Sequence, residues 1–186
     1  MSRRSISISP DDHVQGESKA PCSLVEYGDY ECPSCSQIQP VIRKLQRRFG
    51  KRLSFIFRNF PLSEMHPWAE AAAETAEFAS EHGKFWEMHD LLFANQERLS
   101  DSLLLDLADQ LGLARSDLRR AVETKTHRSR VHTDFESGVR SGVNGTPTLF
   151  INDQRYDGSF DSDSIGDAIT EALSQSLPVG IQRESR

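Results

Sequence analysis

The sequence is poor in cysteine, with 3 in 186 residues, too few for a chain of this size to be held by a disulfide framework. It has no surplus of positive charge. Its 22 basic and 28 acidic residues leave a net −6, which argues against a general nucleic-acid binder, because that role needs a basic face. No apolar run approaches the ~20 residues of a membrane-spanning helix. Arg3 and Arg4 stand near the N-terminus, but Ser5 to Gln15 holds no apolar core of a secretory leader. These absences lead us to expect a cytoplasmic protein, or a periplasmic one whose leader has been removed. The histidines His13, His66, His82, His89, His127 and His132 form no His-x-x-His or Cys-x-x-His pair of the kind that completes a zinc site. The length suits one well-buried domain, with or without an insertion.

What the sequence does have is concentrated between Leu24 and Phe49. Leu24 and Val25 read as the end of a buried strand, and Gly28-Asp29 as the turn leaving it. Pro33 follows Cys32 where a first helical residue belongs, since its missing N–H would have no intrahelical partner there. Ile38, Val41, Ile42, Leu45 and Phe49 then recur at helical spacing. Cys32 therefore falls at a helix N-terminus, where orphan N–H groups and the positive dipole end favour a thiolate. Cys35, one turn further in and covered by the helix, is the natural resolving thiol. A lone Cys-x-x-Cys also serves as half of a zinc site, so metal binding is the competing reading.

Two features favour redox chemistry. Glu26 lies among apolar residues on the strand, where its carboxylate would point under the helix toward Cys35. Poorly solvated there, it could take the proton that Cys35 loses on attacking a mixed disulfide; otherwise it is a surface glutamate. Thr146-Pro147 precedes the β-branched and aromatic run Thr148-Leu149-Phe150-Ile151, so Pro147 marks a strand entrance or a plain loop.

Together, Glu26, Cys32-Pro33-Ser34-Cys35 and Thr146-Pro147 resemble the thioredoxin superfamily, and Pro40 matches its helix-kinking proline. The long helical interval between the two halves looks specifically like the DsbA-like thiol–disulfide oxidoreductases. So do Asp29-Tyr30-Glu31, Phe85-Trp86-Glu87-Met88-His89 and Gly145-Thr146-Pro147-Thr148. The resemblance covers about residues 20 to 175. It implies an α/β, thioredoxin-like fold with a mixed central sheet and an all-helical insertion. It also implies a cis Pro147 placed against the active-site sulfurs, and a redox-active Cys32–Cys35 disulfide with no further cofactor or metal. The partners would be protein or small-molecule thiols and disulfides together with an unidentified redox partner, without nucleic acid or membrane span.

In order along the chain, residues 1–19 read as an N-terminal arm whose Ser5-Ile6-Ser7-Ile8-Ser9 alternates like a short edge strand. Residues 20–61 and 143–177 form the thioredoxin-like part, 62–142 a helical insertion, and 178–186 a mobile tail. Cys22 reads as a structural, half-buried thiol. Leu53 to Phe60 is a second core strand, and Gly50 a helix C-cap. In the insertion, Ala69, Ala72, Ala73, Ala76 and Ala79 allow close helix packing, and Ser100 and Ser116 read as N-caps. His89 and Trp86 belong to a packing stripe, His66 and His132 to the surface. Thr148 to Ile151, Asn152-Asp153 and Arg155-Tyr156 read as strand, turn and edge strand, before a last helix capped between Ser159 and Asp161.

The chemistry expected is thiol–disulfide exchange, with Cys32 attacking and Cys35 resolving. Strongly oxidising members of the family carry a histidine in the second slot between the cysteines, where this chain has Ser34. Asp29, Glu31 and Glu26 should oppose a thiolate. A couple less oxidising than the histidine-bearing members follows, with a periplasmic oxidase, a zinc-bound module and a non-redox binding domain as alternatives.

Overall fold

A computed structural model describes residues 6–175. Its centre is β2 (Cys22–Gly28), buried along its whole length, as a strand covered on both faces must be. It runs parallel to β3 (Leu53–Asn59), with Glu26 opposite Phe57, and the two are joined through α1 (Pro33–Phe49). On its other side lies β4 (Thr148–Ile151), antiparallel, with Glu26 opposite Leu149, followed by β5 (Gln154–Tyr156). The sheet is completed by β1 (His13–Gly16) on the outer edge of β3, giving the order β1-β3-β2-β4-β5. The edge strand expected at 5–9 is therefore displaced. Ser5 lies outside the described residues, and Ile6 to Ser9 is not a strand. A turn closed by Ser9 and Asp12 intervenes, and Ile6 is buried in the core. The open edge of β3 selects the pairing partner, not the local alternation.

Side chains of β2 alternate between two cores. Leu24 joins Phe55, Phe57, Leu149 and the α1 face formed by Cys35, Ile38, Ile42, Leu45 and Phe49. Val25 and Tyr27 face the other way, with Ile56, Phe60 and Phe150. Glu26, between Val25 and Tyr27, accordingly lies on the α1 side. Pro40 sits inside α1 without ending it, and Gly50 closes the helix at φ +53°, donating to Gln46 O.

Between β3 and β4 run α2 (Ala69–Ser80), α3 (Phe85–Ala94), α4 (Asp101–Gln110), α5 (Arg115–Glu123) and α6 (Arg128–Arg140). Ser100 caps α4, its hydroxyl accepting from Leu103 N at 3.3 Å. Ser116 caps nothing. It falls inside α5, whose N-cap is Ala114, so a serine near a helix start need not occupy the capping position. Val139 is 51% exposed on α6, while Val131 on the same helix is buried. The last helix, α7 (Ser162–Gln175), is capped by Asp161, which accepts from Ser164 N at 2.8 Å. Helices thus cover both faces of one mixed sheet. Among the described residues, no helix is long and apolar enough to cross a membrane. The tail at 178–186 lies outside the described residues.

Candidate active site

Cys32 is the N-cap residue of α1, in extended backbone conformation, with Pro33 and Ser34 exposed on the first turn. Its N–H donates to Asp29 O at 3.1 Å, so a tight turn delivers it from the end of β2. The sulfur is less open than a nucleophile at a helix tip suggests, because Cys32 is only 7% exposed. Its thiol donates to the Thr146 carbonyl at 3.4 Å, which brings the loop before β4 against the cysteine. The Thr146–Pro147 peptide bond is cis, and Pro147 is buried.

Cys32, Cys35 and Cys22 are free thiols with unlike environments. The hydrogen bond from Cys35 pulls the Cys32 thiol down to about 5, against its burial, helped by the Thr146 hydroxyl and the Cys35 and Ser34 N–H groups. Thr146 Oγ1 is buried without a hydrogen-bond partner among the described residues, as suits a donor available to a Cys32 thiolate. Cys35 is fully buried and pushed well above the ordinary thiol range by desolvation, by Cys32 and by the Glu26 charge. Burial alone pushes Cys22 up to about 11. Cys22 is fully rather than half buried, at the far end of β2.

Glu26 is also fully buried, and desolvation raises its carboxyl to about 8. Opposing this, Gln39 donates to Glu26 Oε2 at 3.0 Å and, with the same amide nitrogen, to the Cys35 carbonyl at 3.3 Å. The fold therefore brings Cys32, Cys35, Glu26, Thr146 and Pro147 to one end of β2.

Several polar residues around this cluster were not legible as site residues. The Asp29 carboxylate, 1% exposed, accepts from Glu31 N, Leu62 N and His66 Nδ1, each at 2.8 Å. Glu31 accepts from Trp68 N at 2.6 Å. Both acids thus hold the 62–68 turn, and neither is among the main groups that set Cys32 low. His66 is a half-buried partner of Asp29, not a free surface histidine. Against its burial, the Asp29 bond and charge raise its pKa, with smaller contributions from Cys32 and Glu31. His132 does lie on the surface, on Glu136 at 3.0 Å. Gln96 donates to both Tyr30 O and Cys32 O at 2.8 Å. The one available signal was Gln39, a polar residue on the buried face of an amphipathic helix. Among the described residues, no group of three or more His, Cys, Asp or Glu side chains is placed to hold a metal ion.

Fold and site together define a thioredoxin-like protein built around a Cys-x-x-Cys helix N-terminus. The thioredoxin family model matches residues 8–171. The chain superposes on BdbD from Bacillus subtilis with a TM-score of 0.80 and 28% identity, covering 87% of this chain and 92% of that one. It superposes on α-DsbA1 of Wolbachia pipientis with a TM-score of 0.79 at 19% identity, covering 91% and 94%. By sequence it is 40% identical over 169 residues to the Na⁺/H⁺ antiporter NhaA 1 of Salinispora arenicola, and 39% identical over 156 residues to NhaA 1 of Mycolicibacterium gilvum. The chain spans only about a quarter of the length of these curated relatives (26% and 25%), and the antiport in their names is not carried over to it. The chain belongs to the thioredoxin family, and its fold is that of the DsbA-like structures.

Proposed function

We propose that the chain exchanges disulfides with protein or small-molecule thiol substrates through Cys32 and Cys35. Cys32 thiolate attacks a substrate disulfide, forming a mixed disulfide and releasing one substrate thiolate. Cys35 gives its proton to the Glu26 carboxylate and attacks Cys32 Sγ. The Cys32–Cys35 bond forms and the second substrate thiolate leaves; the reverse sequence oxidises a substrate dithiol. The observation that carries this reading is the contrast in one helical turn between Cys32, at the helix N-terminus against the Thr146 carbonyl, and Cys35, fully buried beneath it; the directions of their pKa shifts agree. It separates nucleophile from resolving group. Thr146 and Pro147 supply the backbone edge beside Cys32, against which an extended substrate segment pairs with little sequence preference. Pro33 and Ser34 form the exposed rim that a substrate meets first.

A thiolate near 5 lies between the roughly 7 and 3.5 of reducing and strongly oxidising relatives, which supports a couple less oxidising than the histidine-bearing members. His66, held by Asp29, supplies some of the positive character that Ser34 lacks. The depressed thiolate also favours the oxidase as second reading over the zinc-bound and non-redox ones. Cys35→Ala tests the assignment: it keeps the first attack and loses resolution, so reducible mixed disulfides with client proteins accumulate, and Pro147→Ala changes how long they persist. Adducts that form equally well in Cys32→Ala would overturn it.

A further inference from the structure

Behind Glu26 runs a chain of buried polar groups whose hydrogen-bond directions are fixed by elimination. Gln39 Nε2 lies 3.0 Å from Glu26 Oε2 and 3.3 Å from the Cys35 carbonyl. A carbonyl accepts only, so the amide nitrogen must face it, and both Gln39 N–H groups are committed. Gln39 Oε1 is then the acceptor for His89 Nε2 at 3.2 Å, which requires the proton on Nε2. His89 Nδ1, left without a proton, must accept from the Tyr30 hydroxyl at 3.1 Å. His89 is 2% exposed, and burial, assisted by Arg43 and His13, pushes it down to about 3, so it stays neutral throughout. Every donor in the run Tyr30→His89→Gln39→Glu26 points toward the carboxyl.

The consequence falls on Glu26. With Oε2 occupied as an acceptor, a proton arriving on the carboxyl must sit on Oε1, which has no partner among the described residues. The groups that face the carboxyl electrostatically are Cys32 at the head of α1, Cys35 within it and Tyr30 of the turn before it; Phe57 of β3 and Leu149 of β4, its strand neighbours, carry no charge. His89 comes from α3, on the helical layer between β3 and β4, while Gln39 and Glu26 belong to the sheet and its first helix.

We infer that Gln39 and His89 are positioning residues for resolution: a one-way hydrogen-bond chain anchored on Tyr30 holds Glu26 with Oε1 as its proton-bearing oxygen, so the helical layer sets the proton affinity of the accepting carboxylate. This rests on Glu26 as the acceptor of the Cys35 proton. The balance is simple. The proton moves from Cys35 Sγ to Glu26 Oε1 as the Cys32–Cys35 bond forms, and returns to solvent before the next cycle.

Resolution of a preformed mixed disulfide is measured from pH 5 to 10 in the full chain, with the Glu26→Gln variant as reference. Wild type shows an inflection above the ordinary carboxyl range, raised by burial, that Glu26→Gln abolishes. Gln39→Leu removes the donor and moves the inflection up by about one to two pH units, the size of one charge-assisted hydrogen bond, slowing resolution at pH 7 about tenfold or more. Attack by Cys32 on a small disulfide is little changed. A merely structural Gln39 would lower stability and leave the inflection in place, which overturns the inference. An inflection that survives in Glu26→Gln instead overturns the role of Glu26 itself. Nitrogen-15 NMR of wild type, which needs no variant to fold, gives His89 as the neutral Nε2–H tautomer from pH 5 to 9; a titrating or Nδ1–H His89 rules out the chain.

Discussion

Cys32 and Cys35 have the same side chain, and their difference is entirely one of surroundings. Donors converge on Cys32 from Cys35, Thr146 and the first turn of α1, whereas Cys35 meets apolar packing and a buried carboxylate. Of the carboxylates expected to oppose the thiolate, Asp29 and Glu31 are turned to the 62–68 turn, whereas Glu26 does couple to Cys32. Reactivity should follow. In the reduced protein, brief iodoacetamide treatment at graded pH should label Cys32 with an inflection near 5, while Cys35 and Cys22 stay unlabelled. Peptide mapping by mass reads this directly. Preferential labelling of Cys22, or an inflection near the ordinary 9.0, would contradict the site as described.

At the scale of elements, the site depends on how closely β2 approaches β3 where the turn to Cys32 begins. A Cβ at Gly28 would lie 2.4 Å from Phe57 Cε2, 2.9 Å from Cζ and 3.0 Å from Glu26 Oε1. Phe57 is fully buried against Tyr30, Phe85, His89 and Phe93, so its ring has little room to turn away. Glycine is required here by contact, not by backbone angle. Gly28→Ala should destabilise the protein by about 1–3 kcal/mol, the usual range for overpacking a filled core. Denaturant melts measure this; a change within about 0.5 kcal/mol would show that the strand end relaxes freely.

For the molecule as a whole, the two perturbed acids act on stability in opposite directions. Cys32 titrates near 5 folded against an ordinary 9.0, so in the reduced protein it contributes stability above pH 9 that is lost as pH falls toward 5. Glu26 titrates near 8 folded against 4.5, so the folded state holds a proton the unfolded state lacks. Its contribution therefore falls as pH rises from 4.5 to 8. Oxidation removes the thiol titration and leaves that of Glu26. The Tm of the reduced form minus that of the oxidised form should thus increase between pH 5.5 and 8.5, and Glu26→Gln should flatten the alkaline decline of the oxidised form. A reduced-minus-oxidised difference independent of pH would mean that the thiolate is not stabilised by folding.

Much of this was readable in the chain alone. Pro33 after Cys32, the stripe from Ile38 to Phe49 and the apolar context of Glu26 are local patterns, and periodicity and capping determine them wherever the chain goes. They settled the helix, the place of Cys32 at its N-terminus with Cys35 one turn further in, and the α/β class. Other features arise from contacts between residues far apart in sequence. The edge strand moved to His13–Gly16 because β3 offered an open edge there. His66 and Gln96 reached the Cys32 turn, and His89 reached Glu26 through Gln39, across separations that no local pattern encodes. Burial decides the pKa of Glu26, Cys35 and Cys22, and donors decide that of Cys32, both being properties of the assembled layers: the sequence determined which groups are present, and the tertiary structure decided which of them lose water and which find a donor.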